Sequence, residues 1–220
     1  MNGDGIIYGY VGVIGSGKSY NMERLSTRCR VEGRPLVIGD FSEGIRRFLM
    51  ELFTGESFSI NVNSEVYQKW KANPQELLIP RTADGYDEMD KVFPNGRGML
   101  QRAGEMMKRF AGQDVWAKWT RDYVTDSLIY RDSELLKATS VGFGSVRFLC
   151  EASAVLAVGK TFDKEVKFIF CNYLSDRYEL NDHPSEALAR RFVEMGYKDG
   201  MDITSEIVRM TRDGRIYKIS

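Results

Sequence analysis

Gly12-Val13-Ile14-Gly15-Ser16-Gly17-Lys18-Ser19 is the stretch on which the fold turns. It meets the pattern G-x-x-x-x-G-K-[ST] at every fixed position, and such a pattern is tested by its flanks. Ile6-Ile7-Tyr8-Gly9-Tyr10-Val11 before it reads as a buried strand. Lys18 to about Arg30 after it sets Met22, Leu25 and Cys29 at spacings of three and four, which predicts a helix. Strand, glycine loop and helix in that order predict a phosphate-binding loop in an α/β fold.

The residue types give that loop its chemistry. Gly12, Gly15 and Gly17 are expected to let the backbone turn with positive φ, so that successive N–H groups face phosphate oxygens. The helix N-terminus adds partial positive charge at the same place. Lys18 is expected to reach the β and γ phosphates, and the Ser19 hydroxyl to ligate Mg²⁺. Gly12, Gly15, Ser16, Gly17, Lys18 and Ser19 are therefore the expected ATP-binding set. The plainer alternative is a glycine-rich turn beside an incidental Lys-Ser.

Composition narrows the class. A chain of 220 residues suits one α/β domain with room for an inserted subdomain. Hydrophobic residues make up 43% and charged ones 28%, enough to bury a core. The 31 basic and 31 acidic residues cancel, which argues against a whole-protein electrostatic footprint for nucleic acid and leaves room only for a local basic groove. Cys29, Cys150 and Cys171 are odd in number and form no CxxC, so they read as reduced thiols of an intracellular protein. His183 is the sole histidine, and no zinc spacing exists. With no signal peptide and no apolar run near 18 residues, a cytoplasmic protein without membrane association is expected.

Further along, Pro35–Gly39 predicts a second strand ending in Asp40. Asp40 would then lie at the carboxyl end of a strand, where ligands gather in open α/β sheets. It reads equally as an ordinary helix-entry acid. Ser42 can cap a helix with Ile45, Phe48, Leu49 and Leu52 on one stripe, closed by Gly55. Residues 56–96 are irregular: Ser64–Lys71 is a short helix by pattern, Pro74 and Pro80 interrupt, and Arg81–Gly85 reads as a loop. This stretch is expected to belong to a helical insertion.

Arg97–Phe110 predicts a two-faced helix. Leu100, Ala103, Met106, Met107 and Phe110 share an apolar arc, opposite Arg97, Gln101, Gly104 and Lys108. Glycine inside a helix costs about 1 kcal/mol relative to alanine, so Gly104 calls for a reason: close ligand approach or a packing contact. A long helix from about Asp114 to Lys137, a strand at Thr139–Gly144, a helix at Leu149–Val158 ended by Gly159, and a central parallel strand at Val166–Cys171 follow. Beyond a polar stretch with Arg177 and His183, a helix is expected at about Ser185–Met195. A hairpin is expected where Ile207–Met210 and Arg215–Ile219 flank Arg212-Asp213-Gly214. His183 reads as a helix-entry residue rather than a catalytic one.

Four blocks together resemble one family. Beside the phosphate loop, Arg97-Gly98-Met99-Leu100-Gln101-Arg102-Ala103-Gly104 with Arg109 and Trp116 is similar to the R-x-x-L-Q-x-x-G…R…W signature of phage-type deoxynucleoside monophosphate kinases. Ser145-Val146-Arg147-Phe148-Leu149-Cys150-Glu151 resembles the family's D-V-R-F-x-x-E segment, and Asp182-His183-Pro184-Ser185-Glu186 its D-x-H-x-S-E lid segment. The resemblance implies a three-layer P-loop kinase fold with a parallel sheet, a helical acceptor-binding insertion at 42–137 and a lid at 172–189. It implies ATP and Mg²⁺ as donor system and a deoxynucleoside 5′-monophosphate as acceptor, converted to the diphosphate in phage nucleotide metabolism in the host cytoplasm. Lys18, Arg147 and Arg177 would surround the transferring phosphoryl group. Arg97 and Arg109 would hold the acceptor phosphate, with Gln101, Gly104, Trp116 and Glu151 completing that site. Trp116 reads equally as a core residue. Whether the chain acts as a homodimer is left open.

Two positions depart from the family: Ser145 replaces its aspartate, and no lysine stands around Phe41–Gly44 after the second strand. Asp40 meanwhile occupies the place where kinases of alcohols keep a general base. The alternative is thus a P-loop kinase of a hydroxyl group: a polynucleotide end, a hydroxymethylated base in DNA, or a small alcohol. Nucleic acid is a partner only on that alternative. A GTPase switch or ATP-driven binding module is a third reading, against which stands the absence of an N-K-x-D segment.

Overall fold

Alternate residues of the first strand feed two separate cores. Ile7 and Val11 join a large cluster on one side of the sheet, while Tyr10, with Tyr8 packed beside it, joins a small cluster of Met22, Leu25, Cys29 and Cys171 on the other. The computed structural model describes residues 4–13, 15–54, 96–173 and 184–212; the side chains of 50–54, 96–101 and 185 lie outside that description. In chain order the elements are β1 (Ile7–Val11), α1 (Lys18–Val31), β2 (Leu36–Gly39), α2 (Glu43–Thr54), α3 (Gly96–Ala111) and α4 (Val115–Ile129). They continue with α5 (Ser133–Ala138), β3 (Ser140–Val146), α6 (Leu149–Thr161), β4 (Val166–Phe170), a 3₁₀ turn at Pro184–Glu186, α7 (Ala187–Glu194) and α8 (Thr204–Arg212).

Among the described residues the strands form one parallel sheet in the order β2-β3-β1-β4. Ile7 sits opposite Val141 on one side and Val166 on the other. The β1–β3 register slips after Gly9, so that Val11 meets Val146, and the end of β3 beside the glycine loop is re-aimed. Helix α1 packs on the Tyr8/Tyr10 face through Met22, Leu25 and Cys29. The opposite face takes α4 (Ala117, Val124, Leu128), α6 (Ala152, Val155, Val158), α7 (Leu188, Phe192) and α8 (Ile207, Met210). Helices, sheet and helices make three layers, the α/β fold class that the sequence implies.

The chain divides into two compact units: residues up to Phe41 together with those from Ala117 onward, and Ser42–Trp116. The second unit opens where the insertion is expected but closes at Trp116 rather than at 137. Ala117, Val124 and Leu128 belong to the core of the first unit, which explains the earlier boundary. Within the second unit α2 packs against α3. Glu43 accepts from both Arg46 (3.2 Å) and Arg47 (3.1 Å), tying the first turn of α2 together.

Several expected elements differ. The single helix over Asp114–Lys137 breaks in two, because the Asp132 side chain accepts from the backbone N–H of Leu135 at 2.8 Å and starts α5 afresh. Gly159 does not end α6 but lies inside it: a Cβ there would come 2.3 Å from Val166 Cγ2, so the glycine lets the helix press onto β4. Strand β4 is last in the described sheet rather than central. Its outer edge is nevertheless bonded, Phe170 N–H to Met201 O and Ile203 N–H to Phe168 O, both at 2.9 Å, which accounts for its apolar run. Ile207–Met210 is helical, not a hairpin arm. Ile203, Ile207 and Met210 recur at helical spacing and are buried, and Asp202 accepts from the Thr204 N–H at 2.8 Å at the helix start. Residues 213–220, including the other proposed arm, lie outside the described residues. So do the short helix at 64–71 and Arg81.

The two-faced reading of α3 is also revised. Phe110 is 84% exposed, while Ala103 and Gly104 are buried. The helix turns its glycine inward because that is where it meets α2: a Cβ on Gly104 would lie 3.1 Å from Ile45 Cδ1.

Candidate functional site

The glycine loop joins β1 to α1 as expected, with one change in how its glycines work. Gly15 (φ 78°) and Gly17 (φ 87°) adopt left-handed backbone, which frees amide groups to face inward. Gly12 does not have positive φ; it answers a steric need instead. A Cβ there would fall 2.3 Å from both the Cys171 carbonyl oxygen and Ser16 Oγ. The loop is thus pressed against the carboxyl end of β4, where the Cys171 N–H donates to Val11 O at 2.7 Å and the Tyr173 N–H to Ser16 O at 3.2 Å.

Lys18 opens α1 and is 7% exposed. Its ammonium donates to the carbonyls of Gly12 (2.7 Å) and Val13 (2.6 Å). Among the described residues no carboxylate is in ion-pair contact with it. Burial, and next the nearby Arg147 guanidinium, bring its pKa down from 10.5 to about 8, against weaker opposing effects of Cys171 and Glu186. Ser16 Oγ, in the same loop, is buried with no hydrogen-bond partner among the described residues. An under-compensated buried cation, an orphaned hydroxyl and left-handed glycines at a helix N-terminus together suit a polyanion. Ser19 is exposed on the first turn of α1.

The other expected residues are distributed as follows. Arg147 follows β3 and lies close enough to Lys18 for its charge to act on the ammonium. Ser145 is half-buried at the end of the same strand. Glu151 turns back on its own helix: its Oε2 accepts from the N–H groups of Arg147 (2.6 Å) and Phe148 (3.1 Å), capping α6 and fixing the backbone beneath Arg147. Asp40 is half-buried directly after β2, one strand beyond β3 in the sheet order.

The acceptor set belongs to the second unit except for Glu151. There Trp116 is buried and its Nε1 donates to Gly104 O at 3.2 Å, so these two residues form a packing joint between the start of α4 and the middle of α3. Arg109 is exposed near the end of α3. Arg97 and Gln101 lie on the first turns of α3, and their side chains are outside the described residues. Arg177, Asp182 and His183 are also outside them.

Two contributors were not singled out from sequence. Glu186, 3% exposed where the 3₁₀ turn meets α7, acts on Lys18 electrostatically; the match to the lid segment was its only signal. Asn21 donates to Cys171 Sγ (3.4 Å) and Gly17 O (3.3 Å), bracing the loop against β4, and only its position one turn into α1 hinted at this. Burial raises the Cys171 pKa to about 12, so that thiol is a packing group. Among the described residues no group of three His, Cys, Asp or Glu could hold a metal, and no helix is long and apolar enough to cross a membrane.

No protein-family model matches the chain, and no curated protein does. A solved structure of a mutant of the Mycobacterium tuberculosis APS kinase CysC matches 88% of this chain and 97% of that one, at 10% identity and a TM-score of 0.31. So distant a likeness leaves function to be read from the residues themselves.

Proposed function

We propose that the chain transfers the γ-phosphoryl group of ATP to a deoxynucleoside 5′-monophosphate. The observation that carries this reading is the buried Lys18, weakly compensated, beside an orphaned Ser16 hydroxyl in a loop of left-handed glycines. Phosphoryl transfer asks for positioning and charge neutralisation more than for covalent chemistry, and these residues offer both. Lys18 and Arg147 would balance charge on the transferring group. Ser19 would hold Mg²⁺, which would offset charge on the phosphates. Glu151 serves as a positioning residue, holding the backbone under Arg147. Arg177 would close over the donor, while Arg97, Gln101 and Arg109 would take the acceptor. The four sequence blocks that resemble phage-type deoxynucleoside monophosphate kinases support the choice of acceptor.

Asp40, at the carboxyl end of β2, favours a second reading in which the acceptor is a hydroxyl group. An alcohol needs its proton removed, and a positioned carboxylate contributes about 10²–10⁴-fold to such a step. A phosphate acceptor is already ionised. One experiment separates the two: transfer from γ-labelled ATP to deoxynucleoside monophosphates, nucleosides, small alcohols and DNA, by the parent and by Asp40→Asn. Label in a monophosphate, with at most a modest loss in the variant, is expected. Label in DNA or an alcohol, with collapse in Asp40→Asn, would replace the first reading by the second.

A further inference from the structure

Tyr173 stands exposed at the mouth of the glycine loop, and the phosphate chemistry above gives it no task. It is 71% exposed, so one face of its ring is open to a ligand. Its root is held firmly: the Tyr173 N–H donates to Ser16 O at 3.2 Å, and its Cβ lies 3.4 Å from where a Cβ on Gly17 would be. The ring is therefore rooted beside Ser16 and Gly17 of the loop. Among the described residues no ring, cation or hydrogen-bond partner occupies it. Tyr20, another exposed aromatic, differs in this respect, since it has the Arg24 guanidinium 5.8 Å from its ring centroid. Arg28 similarly covers Tyr8 at 5.4 Å.

We propose that Tyr173 is the stacking platform for the base of the donor nucleotide. This deepens the donor-site reading above and rests on it. A phosphate loop recognises the polyphosphate through backbone N–H groups and a lysine, none of which touches the nucleoside. An aromatic face anchored to that same loop supplies the missing contact without loop rearrangement. Stacking reads a π-face rather than hydrogen-bonding edges, so the platform accepts adenine and guanine alike. The phenol hydroxyl has no part in it.

The test is calorimetric binding of ATP, GTP and inorganic tripolyphosphate to the parent, Tyr173→Ala and Tyr173→Phe. Tyr173→Ala is expected to weaken ATP and GTP roughly tenfold, within the range for loss of one base–aromatic stack. Tripolyphosphate affinity should stay unchanged, and Tyr173→Phe should restore nucleotide binding. Unchanged nucleotide affinity in Tyr173→Ala overturns the inference, as does an equal loss for tripolyphosphate, which would mark Tyr173 as a brace of the loop. Failure of Tyr173→Phe to restore binding would assign the role to the hydroxyl and overturn it too. A parent that binds neither nucleotide nor tripolyphosphate overturns the donor reading itself, and the inference with it.

Discussion

Glycine and basic side chains meet in both units of the molecule, at Gly17-Lys18 in the loop and on α3 around Gly104, yet they work differently in each. In the loop, left-handed φ at Gly15 and Gly17 gives the backbone the turn that a cradle of N–H groups requires. On α3 the N–H groups are already bonded within the helix, so removal of a side chain frees no donor. What it frees is space, filled by Ile45 Cδ1 beside the Trp116–Gly104 hydrogen bond. Gly15 and Gly17 thus redirect the backbone of the loop, whereas Gly104 only makes room for a neighbouring side chain. Basic residues follow the same division. Lys18 is buried, depressed in pKa and bonded to carbonyls, whereas Lys108 on α3 pairs with Glu105 at 3.1 Å in an ordinary helical ion pair.

The sharpest way to break this comparison is Lys18→Met, which keeps the chain length and removes the charge. Phosphoryl transfer should fall by about 100-fold or more, since a preorganised cation at the transferring group is lost. Stability of the ligand-free protein should move the other way. The folded pKa of about 8 is below the unfolded 10.5, so below pH 8 the protein bears the full cost of charging a buried lysine. That cost fades as pH rises from about 8 to 10.5. Urea unfolding should therefore find Lys18→Met more stable than the parent at pH 7, with the gap closing toward pH 10. A variant that loses stability at pH 7 would show the charge to be well compensated, and the loop no better suited to an anion than α3.

Gly12→Ala comes next. Its Cβ would meet the Cys171 carbonyl, a backbone atom that cannot step aside, so we expect about 1–3 kcal/mol of destabilisation by urea unfolding, with nucleotide binding impaired. The smallest effect is expected for Gly104→Ala. There the new methyl meets the far end of Ile45, and the gain in helix propensity of about 1 kcal/mol offsets the crowding. Stability should change by less than about 1 kcal/mol, and the acceptor KM should be unaffected. A large rise in acceptor KM at unchanged stability would move Gly104 from packing to ligand contact.

The loop was legible because its motif couples residue identity to a local backbone path, so eight consecutive residues carry most of its geometry. Even there Gly12 was misread: its reason is the Cys171 carbonyl, a neighbour far away in sequence. Periodicity found the helix at 96–111 and the buried Ala103, but not the exposure of Phe110 or the burial of Gly104 against Ile45, which periodicity does not see. The break at Asp132 was written in the sequence as a helix-starting acid inside a longer apolar pattern, and the pattern hid it. The α8 helix was missed for the opposite reason. Ile207–Met210 looks strand-like alone, and only the inclusion of Asp202 and Ile203 reveals a capped helical stripe. Glu151 entered the acceptor set through the resemblance of its segment alone; its hydrogen bonds to the Arg147 and Phe148 N–H groups leave no signature in a residue string.

The most direct measurement is proton exchange on binding of Mg²⁺-ATP at pH 8, followed by titration calorimetry in buffers of different ionisation enthalpy. At that pH Lys18 is about half protonated in the free protein, and a polyphosphate beside it draws the pKa back upward. Relative to Lys18→Met, the parent is expected to take up about half a proton and to bind much more tightly. Equal affinities and no difference in proton uptake would contradict the assignment of Lys18 as the phosphate-binding cation.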